Sequence, residues 1–264
     1  MKKIIGWTLA VLVVLIIAAA LTVHLFLDDA IKRGVETYGP ELTKVSVKLD
    51  SVSLLLLSGS GKIKGLVIGN PDGYKFPSAI EVGTGGLAIK PASVFSDKIV
   101  VQSILLEGPM LTYETDLKSS NLGKIRSNLE GTKGTEPAKP AETKPTETKP
   151  AESKPSKKFE VDDFLLKGAK LHVSVNVLGN SQSTTVTLPD IHLKDLGKGS
   201  DGLTAAEITQ QVLGAVLEEA EKKAVSVVAD LSKGATYLTP DVRNAATNTL
   251  EKATKGLGDL FKKK

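Results

Sequence analysis

Residues able to do chemistry are few in this 264-residue chain, and their spacing does not bring them together. The chain has three histidines and no cysteine, which removes thiolate metal sites, cysteine nucleophiles, disulfides and a lipid-bearing cysteine. His172 and His192 fall in adjacent predicted strands, so a two-histidine metal site is the first arrangement to weigh. Period two sets both imidazoles on polar faces, between Leu171 and Val173 in one strand and Ile191 and Leu193 in the other, and no third ligand stands at a metal-binding spacing. Asp162 and Asp163 are carboxylates of the type a glycosidase pairs, but adjacent strand residues point to opposite faces and nothing around them supplies a pocket. They read as turn acids. The glycines between Gly59 and Gly69 lack the GxxxxGK[ST] pattern and a following helix, which excludes a phosphate loop. The sequence therefore assigns no catalytic residue, no cofactor-binding residue, no metal ligand and no cofactor, and the expectation is a protein that is not an enzyme.

Composition narrows the remaining classes. Hydrophobic residues make up 41% and charged residues 24%, near the globular norm, while the net charge of +4 is too small and too evenly spread for a nucleic-acid surface. From Ile4 to Leu27 the chain carries no formal charge over about 24 residues, where roughly 20 suffice to cross the hydrocarbon core. Ala18-Ala19-Ala20 is a conceivable signal-peptide cleavage site, but the apolar run continues past it to Asp28 and Asp29, longer than a signal-peptide core. The expectation is a retained single-pass anchor over residues 1–30. Lys2 and Lys3 keep the N-terminus in the cytoplasm and place the body outside it. His24 and Trp7 read as interfacial residues at the two ends of the span.

Behind the anchor the sequence predicts strands. Val45, Val47 and Leu49 alternate on one face, the phase shifts after Asp50-Ser51 to Val52, Leu54 and Leu56, and further strands follow at 62–68, 79–89, 98–106 and 110–114. The spacing predicts an antiparallel meander with no parallel pairing. Residues 132–158 hold a five-residue period with Pro140, Pro145, Pro150 and Pro155, a linker with nothing to bury. Its flanks repeat each other: 101–111 and 161–171 match at an offset of 60, each with a polar kink, at Ser103 or Asp163, and a glycine, Gly108 or Gly168. One sheet built from both sides of the linker is therefore expected. From Thr204, which forms a capping box with Glu207, an amphipathic helix carries Ile208, Val212, Val216, Ala220, Ala224, Val227 and Leu231. A second helix is expected after Thr239-Pro240, then a basic tail ending at Lys262-Lys263-Lys264.

Gly59-Ser-Gly-Lys-Ile-Lys-Gly-Leu-Val-Ile-Gly-Asn-Pro71, Ile104-Leu-Leu-Glu-Gly-Pro109 and Leu188-Pro-Asp-Ile-His-Leu-Lys-Asp-Leu-Gly197 carry a resemblance. Through them the chain resembles the short members of the AsmA-like bacterial envelope proteins, over roughly Thr37–Thr115 and Phe159–Gly197. The resemblance implies an α+β protein with an inner-membrane anchor, a β-rich periplasmic region at 31–131 continued at 159–200, and an apolar groove that handles lipid. The region 203–264 is expected to be helical. Expected partners are inner-membrane lipids and envelope proteins, not nucleic acid. The alternative from the residues themselves is a membrane-anchored structural or protein-interaction module, with the helix from Ala205 covering the sheet as an ordinary core.

Overall fold

A computed structural model describes residues 27–132, 157–177, 180–199 and 201–234. They form a mixed α+β body: a curled, unclosed, nine-stranded sheet with three helices. Helix α1 covers 27–43. Strands β1 (Val47–Leu55), β2 (Ser60–Gly69), β3 (Ser78–Ile89), β4 (Lys98–Glu107) and β5 (Met110–Thr115) follow, then helix α2 (Asn121–Gly131). Strands β6 (Lys158–Lys167), β7 (Lys170–Val177), β8 (Asn180–Thr187) and β9 (Ile191–Leu196) precede helix α3 (Ala205–Gly234). The expected span at 4–27 lies outside the described residues except for Leu27. So do the linker between 133 and 156, the second C-terminal helix and the basic tail. Among the described residues no helix is long and apolar enough to cross a membrane.

Several strands are segments of longer ribbons. β3 pairs with β4 and β5 in one register, Leu87 opposite Ile104 and Ile80 opposite Leu111, so β4 and β5 are one ribbon interrupted at Gly108. β6 and β7 are joined the same way through Gly168, and β8 and β9 face them in a single register, Leu171 opposite Val186 and Phe164 opposite Leu193. The ribbons stand side by side in chain order, from β1 at one edge to β8 and β9 at the other.

One junction corrects the expected meander: β4 runs parallel to β6, and β5 parallel to β7. Lys98 lies opposite Lys158 and Leu111 opposite Leu171, an offset of 60 that equals the offset of the sequence repeat. The second copy therefore lies beside the first in the same direction. Parallel neighbours need a crossover that brings the chain back along their length, and residues 116–157 supply it. Asn128 of α2 donates from Nδ2 to Thr43 O at 2.8 Å, beside the start of β1, whereas Lys157 Nζ donates to Val94 O at 2.6 Å at the opposite end of the sheet. Alternation of side chains is the same in parallel and antiparallel strands, so periodicity was blind to this junction.

The phase shift read at Asp50-Ser51 is part of a crease through the whole sheet. Burial moves from Val47 and Leu49 to Val52 and Leu54 in β1, yet the pairing with β2 keeps one register, so this is not a bulge. The same switch falls in the same row of the neighbouring ribbons, at Gly65 (φ 63°), Gly108 (φ 59°) and Gly168 (φ 63°). A left-handed residue inside a strand breaks the alternation and bends the chain, which glycine tolerates. Apolar side chains of both panels thereby share one core. A second irregularity crosses β3 and β4 near Ile89 and Val101, and continues to Asp195 (φ 56°) in β9, where the polar kink at Asp163 was expected.

The helices finish the core. α1 lies along the outer edge of β1: Asp28 Oδ1 accepts from Leu54 N at 2.9 Å, Glu36 Oε1 from Leu49 N at 3.1 Å, and Lys32 Nζ donates to Asp50 O at 3.0 Å. Side chains thus occupy backbone groups that an edge strand otherwise offers to another chain. This helix precedes the first strand of the region expected to be β-rich from residue 31, and its Leu27, Ile31, Val35 and Leu42 pack on the core. α2, also unforeseen, starts at Ser120, whose Oγ accepts from Gly123 N at 3.1 Å, and buries Leu122, Ile125 and Leu129. α3 begins with the capping box as expected: Thr204 N donates to Glu207 Oε2 at 2.7 Å and Glu207 N to Thr204 Oγ1 at 3.2 Å. The Thr204 N–H and the Thr204 hydroxyl, both donating to Glu207 Oε2, hold the Glu207 carboxyl below its ordinary range.

Candidate functional site

Residues opposite each other in neighbouring strands project from the same face. One row therefore reads Val52, Ile63, Gly85, Leu106, Leu166 and Ile191, and the next Leu54, Gly61, Leu87, Ile104, Phe164 and Leu193. Every member is apolar or glycine, so an apolar surface without a titratable side chain crosses the sheet from edge to edge.

Its cover is uneven. α3 lies over β5, β6, β7 and β9, and α2 over β5. Beneath them Phe164 and Leu166 are 2% exposed, and Leu171 and Leu217 are fully buried. Over β2, β3 and β4 the same rows are only half-buried, at Ile63, Leu87, Ile104 and Leu106. This strip lies between α1, on the β1 edge, and α3. Its glycines keep it shallow: a Cβ at Gly85 would stand 2.6 Å from Leu106 Cδ2 and 2.9 Å from Ile63 Cγ1, so these side chains close over the backbone. At Gly61, Leu54 and Leu87 approach in the same manner.

The helical cover is joined by a partly buried ion pair. Arg126 Nη1 of α2 meets Glu221 Oε2 of α3 at 2.8 Å, and Glu221 is 7% exposed with no hydrogen-bond partner for Oε1. Burial raises the Glu221 pKa above its ordinary range, Arg126 opposes the shift, and Glu130 and Glu218 add to it. Burial also raises the pKa of the Tyr113 phenol, with Glu221 contributing. Neither α2 nor the burial of Glu221 was read from the sequence. The available signal was Ser120 followed by Leu122, Ile125 and Leu129 at helical spacing.

The histidines and acids weighed as chemical groups are dispersed. β7 and β9 are not paired neighbours, which corrects the adjacency expected from the sequence: β7 lies between β5 and β8, whereas β9 pairs with β6. His172 Nδ1 is 3.1 Å from Thr185 Oγ1 and its ring packs edge-on against Phe76 at 5.2 Å. His192 Nε2 meets Asp163 Oδ1 at 2.6 Å. Among the described residues no group of three or more His, Cys, Asp or Glu side chains is placed to hold a metal. Gly59, at φ 68°, occupies the hairpin between β1 and β2 and accepts from Ile89 N at 2.6 Å through its carbonyl, so it makes a turn rather than a phosphate cradle.

No known protein family, curated protein or solved structure matches this chain. The strip is therefore read from its own residues: its two rows offer apolar contact and hold no titratable side chain.

Proposed function

We propose that this is a membrane-anchored envelope protein of the AsmA-like kind, which holds a lipid acyl chain on the half-buried strip over β2, β3 and β4. The observation that carries this reading is the uneven cover of one apolar surface: α3 closes its β6 side while the β2 to β4 side stays half-buried. Removing apolar area from water is worth about 25 cal/mol per Å², and an acyl chain laid along Ile63, Leu87, Ile104 and Leu106 would supply the missing cover. Further support comes from the uncharged run 4–27, which leads into α1, and from the resemblance of the turn and strand motifs to those of the AsmA-like group. In this reading residues 4–27 span the inner membrane, Lys2 and Lys3 remain in the cytoplasm, and the β body is periplasmic. The protein performs no covalent chemistry and its partners are membrane lipids.

The test is site-specific photocrosslinking in the full chain, made in bacteria labelled with radioactive phosphate. A benzophenone side chain at Leu87 or Ile104 is expected to capture labelled phospholipid, and one at Thr185, on the polar side of β8, to capture none. Equal, negligible labelling at all three positions would exclude lipid on the strip.

A further inference from the structure

The end of the sheet where the chain enters the body carries an exposed apolar rim. Leu57 is 100% exposed, Phe95 88% and Leu55 56%, although large apolar side chains standing out this far otherwise belong under cover. Leu55 and Leu57 lie at the tip of the β1–β2 hairpin, and Phe95 ends the 3-10 turn Pro91–Phe95 between β3 and β4. The two elements are neighbours: Ile89 N donates to Gly59 O at 2.6 Å, and a Cβ at Gly59 would stand 3.1 Å from the Pro91 ring.

Position decides what the rim faces. α1 runs antiparallel to β1, with Asp28 bonded to Leu54 N and Glu36 to Leu49 N, so its first turn lies beside the hairpin tip. The residues immediately before that turn are the uncharged run that ends at Leu27. Charge agrees with position. No carboxylate occurs between Asp50 and Asp72 or between Glu81 and Asp97, whereas Lys62, Lys64 and Lys90 are exposed on those stretches; of the acids nearest the rim, Asp28 accepts from Leu54 N, Asp29 pairs with Arg33, and Asp97 is exposed. Apolar tips backed by lysines suit an interface of acyl chains and anionic headgroups. The half-buried strip begins next to this rim, because Leu54, Gly61 and Leu87 lie within a few residues of the hairpin and the 3-10 turn.

From this juxtaposition we infer that Leu55, Leu57 and Phe95 insert into the outer leaflet of the membrane that holds the anchor, so that the strip opens directly onto the bilayer. The inference rests on the proposed anchor and supplies the lipid route for the proposed strip. It is tested apart from the strip's occupancy. The chain has a single tryptophan, so Trp7→Phe gives a tryptophan-free background in which Leu57→Trp, Phe95→Trp and Lys118→Trp are made one at a time. All three positions are exposed, so folding is preserved, and Lys118 lies beyond β5 at the opposite end of the sheet. The full chain is reconstituted in phosphatidylcholine and phosphatidylglycerol vesicles with or without lipids brominated on the acyl chains. Brominated lipid should cause loss of emission at Leu57→Trp and Phe95→Trp and none at Lys118→Trp. Unquenched emission at both rim positions, equal quenching at Lys118→Trp, self-association through the rim without quenching, or failure of the chain to enter vesicles would each overturn the inference. Rim quenching without lipid capture at Leu87 would retain the rim and remove the strip's role; capture at Leu87 without rim quenching would do the reverse.

Discussion

The β6–β7 side and the β2–β4 side of the sheet share the same rows and differ in cover. On the first, Phe164 and Leu166, the row-mates of Ile104 and Leu106, are 2% exposed beneath α3. On the second, Leu87 and Ile104 sit in matching register positions and stay half-buried. β4 and β5 on one side and β6 and β7 on the other are copies of one repeated piece of sequence, at an offset of 60 with glycines at 108 and 168. What separates them is that α3, reached after β8 and β9, lies over β5, β6, β7 and β9, whereas the β1 end has α1 as an edge guard. A repeated sheet unit thus becomes core or surface according to which helix lies over it.

The largest expected effect contrasts these two sides. Leu217→Ala should cost about 2–5 kcal/mol of unfolding free energy, as a fully buried leucine, whereas Leu87→Ala should cost less, roughly 1–2 kcal/mol, because part of its area is still in water. Urea denaturation of both variants checks this, and equal losses would mean that the strip is ordinary core. The crease supplies the next contrast. Gly65→Ala and Gly168→Ala both place a side chain in the left-handed region, a penalty of roughly 1–2 kcal/mol. The new Cβ at position 65 also collides with the Asp50 carboxylate, whereas at 168 the nearest atom is 3.9 Å away. Gly65→Ala should therefore be the more damaging, and Asp50→Gly, which also removes the Cβ that would stand 2.8 Å away, should recover the excess.

The smallest effect concerns Glu221. Its pKa is raised in the folded protein, so the folded state binds that proton more tightly than the unfolded chain, and this contribution to stability is lost as pH rises from the ordinary carboxylate range through the raised value. Glu221→Gln should flatten the pH dependence in that window. Glu207 acts with the opposite sign but is present in both proteins, so it cancels in the comparison. Thermal unfolding at several pH values with an unchanged slope in the variant would show that Glu221 does not titrate there.

Much of this arrangement was legible in the residues, and its gaps have physical causes. Strand positions followed from strict alternation ended by Gly, Pro and Asp, and α3 from a capping box that forms as written, with Val216 4% exposed on its inner face. The union of both β segments in one sheet followed from the repeat. Strand direction was missed because alternation does not encode it, although an in-register repeat was a hint of parallel stacking. α1 was hidden because Asp28 and Asp29 looked only like the end of an apolar run, and the bonding of Asp28 to the β1 edge is a tertiary fact. The apolar face was read on 171–177 and 45–56 rather than at Ile63, Leu87, Ile104 and Leu106, because the half-covered state of that strip depends on where α3 lies, which helical periodicity does not specify.

Lipid capture by a benzophenone at Leu87, compared with one at Thr185 in the same full-length chain, tests the central claim most directly. Phosphate-labelled lipid attached at Leu87 and absent at Thr185 is the result the uneven cover predicts. A folded, membrane-anchored protein that captures no lipid at Leu87 would contradict it and leave the strip as a protein-facing surface.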